Sequence, residues 1–67
     1  MVRTPVRDEH DQTIGHIVLL DDGGQQALNS RFQMIGTYDP ATDLTKDRND
    51  HIVGRGNQLM ALIERAR

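Results

Sequence analysis

The side chains with the widest chemical scope are three histidines, His10, His16 and His51, which stand among eight aspartates. Imidazole and carboxylate groups can bind a metal ion together, or act as a general base and its orienting partner. Asp11 follows the first histidine and Asp50 precedes the last, but adjacent residues on a strand point to opposite faces. No known metal-ligand spacing is present. We therefore interpret the aspartates as turn residues, and we predict no catalytic residue, no metal and no cofactor.

A second candidate site lies just before the C-terminal segment, at Gly54-Arg55-Gly56. A glycine-rich turn ahead of a helix can hold an anion on free backbone N–H groups, with Arg55 alongside. The lysine and the spacing of a phosphate-binding loop are absent, and flexible glycines also suit an ordinary strand-to-helix turn. The sequence predicts only a weak anion site, at Arg55 and Gly56.

Composition narrows the classes of partner. Eight basic and ten acidic residues leave a net charge of -2, which makes nucleic acid an unlikely partner. If the chain does contact nucleic acid, the expected contact residues are the arginines that cluster toward the C-terminus: Arg48, Arg55, Arg65 and Arg67. There is no cysteine for a disulfide or a thiolate, and no apolar run long enough for a membrane span or a signal peptide. Seven Arg against one Lys are typical of a GC-rich bacterial or phage gene, so we expect a cytoplasmic protein.

The elements that position these residues are short strands between turns. Apolar alternation and β-branched residues predict strands at 3–6, 13–20, 31–38, 44–45 and 51–54. In the third of these, alternation places Phe32, Met34 and Tyr38 on one face, whereas residues 25–30 fit either a short helix or a strand. The predicted fold class is α+β: a small antiparallel β-meander of four to five short strands with one C-terminal α-helix, forming a single domain over 1–67.

The strand predicted at 13–20 is apolar on both faces. One face carries Ile14, His16, Val18 and Leu20, and the other carries Gly15, Ile17 and Leu19. A strand of this kind lies in the centre of a sheet or is buried against a partner.

An internal similarity relates residues 7–16 to residues 46–55, at an offset of 39. Both segments run from a basic residue through two aspartates to a branched aliphatic residue and a glycine. Two similar β-turns would produce this pattern unaided. Hairpins of many bacterial surface repeats have a similar loose pattern, but they usually carry Gly where this chain has Asp11 and Asp50.

The C-terminal segment has the pattern of an amphipathic helix. Asn57 is the predicted N-cap, and Leu59, Leu62, Ile63 and Ala66 follow at helical spacing. Met60 widens this apolar stripe beyond what one small sheet readily covers. We therefore predict an interface formed by Ile17, Leu19, Leu59, Met60, Leu62 and Ile63.

These observations favour a small non-enzymatic structural or protein-interaction module. Its expected partner is itself, in a homo-oligomer, or a larger protein, because chains this short often need a partner for stability. The alternative is an enzyme or a small-ligand binder, with a site built from His and Asp residues at a subunit interface.

Overall fold

The computed structural model describes all 67 residues, and it contains six strands followed by one helix. The elements are β1 (Val2–Arg7), β2 (Thr13–Leu19), β3 (Gln25–Asn29), β4 (Met34–Asp39), β5 (Leu44–Asp47), β6 (Ile52–Arg55) and α1 (Leu59–Ala66). The strands form one antiparallel sheet in sequence order, so each pairs with the strand that precedes it. The predicted α+β meander with a C-terminal helix is confirmed. There are six strands, and not four to five, because the ambiguous segment at 25–30 forms β3.

One face of the sheet, here called the helix face, is covered by α1. The core on this side contains Val6, Ile14, Ala27, Leu59, Leu62 and Ile63. Glycines allow the helix to come close, since a Cβ at Gly15 would lie 2.8 Å from Ile63 Cγ2 and one at Gly36 would overlap the Leu62 side chain. The opposite side, the open face, has no element packed on it. No helix of the chain has the length and apolar character that a membrane span requires.

The helix begins one residue later than predicted, with Gln58 as its N-cap. Asn57 nevertheless supplies a cap, because its Oδ1 accepts a hydrogen bond of 3.1 Å from the Leu59 N–H. The Gln58 N–H donates to Oγ1 of Thr45, a fully buried residue, at 2.9 Å. The backbone N–H groups of the N-cap residue and of the first helical residue are therefore satisfied within the chain.

Three turns at one end of the sheet share one structure. Their first residues are Asp8, Asn29 and Asp47, and each side chain accepts hydrogen bonds from the N–H groups two and four residues later, at 2.9–3.0 Å. The fourth residue of each turn has a positive φ: 62° at Asp11, 65° at Phe32 and 67° at Asp50. The similarity of residues 7–16 and 46–55 is confirmed, and residues 28–37 form a third copy.

A β-bulge follows each of these turns. The register shift leaves Ile14, Ile35 and Val53 without a partner, each directly before a glycine that pairs with the preceding strand. Bulged residues change the direction of their side chains. As a result all three pack in or against the helix-side core, and Ile14 does not stay on the face of His16.

The bulge in β4 overturns the predicted single face for Phe32, Met34 and Tyr38. Phe32 lies in the turn before the strand, at positive φ. Met34 pairs with Leu28 and lies on the open face, whereas Tyr38 pairs with Gln25 and lies on the helix face. Simple alternation fails here because the bulge inserts one residue between the two faces.

Candidate functional site

The predicted interface residues divide into two groups. Leu59, Leu62 and Ile63 are buried against the chain's own sheet, so they belong to the core of the single chain. Ile17 is half-buried at the edge of that core. Only Leu19 and Met60 remain at the surface, with 44% and 52% of their area exposed.

The predicted anion site has its backbone groups engaged elsewhere. The Gly56 N–H donates to the Asp43 carbonyl at 2.7 Å, and its own carbonyl accepts a bond from the Thr45 hydroxyl at 2.7 Å. The Arg55 side chain extends from the last strand on the open face. The N–H group of Gly56 is therefore not free to bind an anion beside Arg55.

The histidines do not converge. His10 lies 3.7 Å from a Glu9 oxygen, and His51 lies 3.9 Å from an oxygen of Asp47, both in exposed turns. The carboxylate beside His51 is thus four residues earlier in the chain, and not the adjacent Asp50. No three side chains capable of metal binding come together. A ligand site of the His and Asp type would have to draw further groups from a second copy.

The C-terminal arginines are likewise dispersed. Arg48 lies in the turn between β5 and β6, Arg65 lies on the helix, and Arg67 follows its end. Arg67 contacts Glu64 at 3.1 Å and Asp8 at 2.8 Å, which connects the end of the helix to the first turn. Its guanidinium is occupied by carboxylates of the same chain.

The titration shifts fall in the turns and the helix end. Backbone hydrogen bonds, chiefly from Gln12 and His51 respectively, lower the pKa of Asp8 and of Asp47. A hydrogen bond of 2.8 Å from the hydroxyl to Asp43 raises the pKa of Tyr38. The hydrogen bond to Glu64 raises the pKa of Arg67. Each shift stabilises the ordinary charge state of the group, as expected of structural contacts.

A different arrangement occupies the open face. The rings of His16 and Phe32 are stacked, with centroids 4.3 Å apart and planes inclined by 17°. The Arg3 guanidinium carbon lies 5.0 Å from the centre of the Phe32 ring, within the range of a cation–π contact. His16 is 9% exposed, and its Nδ1 atom has no hydrogen-bond partner.

Apolar surface adjoins this stack. Phe32 and Met34 expose 52% and 41% of their area, and Met34 pairs with Leu28 across the strands. We name the group formed by Arg3, His16, Leu28, Phe32 and Met34 the Phe32 patch. A groove of about 390 Å³ beside it is lined by Met1, Arg3, Val18 and Leu28.

Basic side chains predominate on the open face, which bears Arg3, Arg7, Lys46 and Arg55. Two of them are paired with turn aspartates: Arg7 with Asp11 at 3.3 Å and Lys46 with Asp50 at 3.6 Å. Arg3 and Arg55 have no carboxylate within 4.0 Å.

Sequence reasoning missed this patch. The available signal was the third copy of the turn pattern, Asn29-Ser30-Arg31-Phe32-Gln33, followed like the others by an aliphatic residue and a glycine. Aligned with the other copies, it shows Phe32 at the position of Asp11 and Asp50. No family model, curated protein or solved structure matches this chain.

Proposed function

We propose that the chain is a small non-enzymatic protein-interaction module that binds a partner on the open face, at the Phe32 patch. The observation that carries the proposal is Phe32, an aromatic residue at φ 65° with half of its surface exposed. The left-handed conformation costs a residue other than glycine about 1–2 kcal/mol, and Asp tolerates it better than Phe does. A half-exposed aromatic ring held in such a conformation is typical of a contact residue.

Self-association is part of this proposal, and it uses the other side of the molecule. Leu19 pairs with Val2 on the helix face, and both side chains are exposed because the helix does not extend over them. Met60 is exposed on the helix itself. A two-fold dimer requires only one self-complementary surface, so a second copy is the simplest cover for these side chains.

Light scattering after size exclusion, from micromolar to millimolar protein, tests self-association. We expect the mass of a dimer or a larger assembly for the unaltered chain, and that of a monomer for Leu19→Lys. Ala41→Lys, which adds the same charge at an exposed turn, is the matched control and should retain the assembly. A monomer at every concentration, with Leu19→Lys leaving stability unchanged, would remove the support for self-association.

The open face is tested separately with Phe32→Asp, which gives the middle turn the residue of its two counterparts. This variant should fold, keep the mass of the unaltered protein and lose binding at the patch. If Phe32→Asp instead unfolds the chain, the ring is needed for stability and the functional interpretation of Phe32 is wrong.

A further inference from the structure

We propose that the Phe32 patch recognises an acidic peptide, in which a carboxylate stands beside an aliphatic side chain. This inference rests on the proposed function, because it names the partner of the same open-face site. Three independent features of the patch support it: an uncharged residue pair unique to the middle hairpin, an unpaired arginine, and a buried histidine nitrogen without a partner.

The uncharged pair distinguishes the middle hairpin from the other two. In the outer hairpins, a basic residue and the left-handed turn residue four positions later form ion pairs, Arg7 with Asp11 and Lys46 with Asp50. The equivalent residues of the middle hairpin are Leu28 and Phe32. Charged pairs keep a surface hydrated, whereas Leu28 and Phe32 leave an apolar surface in the middle of the sheet.

The unpaired arginine supplies the charge. Arg3 lies over the Phe32 ring and also lines the groove, together with Met1, Val18 and Leu28. Its guanidinium has no carboxylate within 4.0 Å, so its donors are free for a ligand. The groove volume of about 390 Å³ lies at the small end of the range for ligand sites and leaves room for an aliphatic side chain.

The histidine adds a polar group that needs a partner. His16 is nine-tenths buried beneath Phe32, and its Nδ1 makes no hydrogen bond. A buried polar atom without a partner destabilises the fold. Because Nδ1 itself is covered, a polar ligand group recovers that loss only where the Phe32 ring moves aside. The patch therefore combines an apolar groove with an unpaired arginine that can bind a carboxylate.

A peptide fits these features better than a single-stranded nucleic acid does. Binding of bases requires an aromatic face on which a base can stack, but the Phe32 ring already contacts both His16 and Arg3. Only Arg3 and Arg55 are unpaired on the open face, and the chain as a whole has a net charge of -2. A phosphate backbone needs a longer array of cations than this.

The test is a titration of the isotopically labelled full chain, followed by NMR. The probe is a blocked hexapeptide in which leucine and glutamate alternate, and the comparison peptides carry glutamine or lysine in place of glutamate. We expect shifts at Arg3, His16 and Phe32, and about tenfold tighter binding of the glutamate peptide than of the glutamine peptide, typical of a charge-assisted hydrogen bond. Arg3→Gln should abolish that difference, and Arg65→Gln, on the helix, should preserve it.

Every other outcome decides against one or both of the two proposals. Equal binding of the glutamate and glutamine peptides overturns the acidic partner but leaves the open face as a binding surface. Tighter binding of an oligothymidylate than of the glutamate peptide shows that the patch is a nucleic-acid site. If none of these probes shifts the resonances of the patch, or if Phe32→Asp binds as the unaltered chain does, the acidic partner and the Phe32 site are both wrong.

Discussion

The middle hairpin and the two outer hairpins build the same turn with different side chains. In the outer hairpins, Asp11 and Asp50 adopt the left-handed conformation and pair with a basic residue of the preceding strand. In the middle hairpin, Phe32 adopts the same conformation and stacks on His16 of the neighbouring strand. The turn itself does not require an aromatic residue, since two copies form without one. The comparison thus shows that the turn needs a residue able to adopt a positive φ, and that the aromatic side chain of Phe32 is a property of the surface.

The three hairpins also differ in two other positions. The turn opens with a carboxylate in Asp8 and Asp47 but with an uncharged amide in Asn29, although all three accept the same pair of backbone bonds. The glycine after the bulge is pressed against the helix in two copies and is open in the third. Each of these differences can be measured by exchanging residues between copies.

The largest effect is expected at the glycines. A Cβ at Gly15 would lie 2.6 Å from the Leu28 carbonyl oxygen, and one at Gly36 would lie 2.9 Å from that of Lys46, whereas at Gly54 the nearest atom is 3.6 Å away. Gly15→Ala and Gly36→Ala should each cost about 2–3 kcal/mol of unfolding free energy through overpacking. Gly54→Ala should cost less than about 1 kcal/mol. Urea titrations measure all three, and equal losses would contradict the close packing of strand and helix atoms at Gly15 and Gly36.

Exchange of the left-handed turn residues should have the next largest effect. Asp50→Phe places an aromatic residue in an outer turn and should cost about 1 kcal/mol, because Asp50 already bears part of the cost of the left-handed conformation. Phe32→Asp relieves the same strain but removes a stacking contact worth about 0.5–1.5 kcal/mol, so its net effect should stay below about 1 kcal/mol. Thermal and urea unfolding compare the two variants. A Phe32→Asp variant much less stable than Asp50→Phe would show that Phe32 serves the fold.

Acid should loosen the outer turns before the middle one. The folded pKa values of Asp8 and Asp47 lie below the ordinary value of 3.8, so these carboxylates contribute stability above that pH. This contribution is lost as the pH falls through the lowered folded values, whereas Asn29 does not titrate. The protection of the amides, measured relative to the intrinsic exchange rate at each pH, should therefore fall at Gln12 and His51 between pH 5 and pH 2 and stay constant at Gln33. Parallel loss at all three amides would indicate global unfolding instead.

The smallest effect is expected for the ion pairs of the outer hairpins. Asp11→Asn and Asp50→Asn remove the charge and retain a residue that tolerates positive φ. Because both pairs are exposed, each substitution should change the unfolding free energy by less than about 0.5 kcal/mol. Addition of salt should likewise have little effect on stability. A larger loss would show that charge pairing, and not conformation, selects Asp in these turns.

Most of the fold can be predicted from the turn residues of the sequence. Proline, glycine and aspartate marked the reversals, and the apolar spacing after Asn57 marked the helix. Residues 25–30 are ambiguous in the sequence because glutamine, alanine and leucine favour a helix when isolated. Pairing with a strand on each side overrides that preference.

The candidate site was much less visible. Alternation could not reveal the bulge at Ile35, so Phe32 was assigned to a strand, and its stacking on His16 depends on residues far apart in the chain. The breadth of the apolar helix suggested an interface, but Gly15 and Gly36 let the sheet cover Leu59, Leu62 and Ile63. The close approach of helix and sheet cannot be predicted from composition, because it depends on the position of Gly15 and Gly36 in the paired strands.

The contact between Asp8 and Arg67 has a kinetic consequence. Each strand pairs with its neighbour in the sequence, so every hairpin can form from local contacts, and a topology of this kind favours rapid folding. The contact from Arg67 to Asp8 joins residues 59 positions apart, and it needs both the finished first hairpin and the docked helix. A contact made after the transition state slows unfolding and leaves the folding rate unchanged. We therefore expect this ion pair to lengthen the lifetime of the folded chain without changing the speed at which the chain folds.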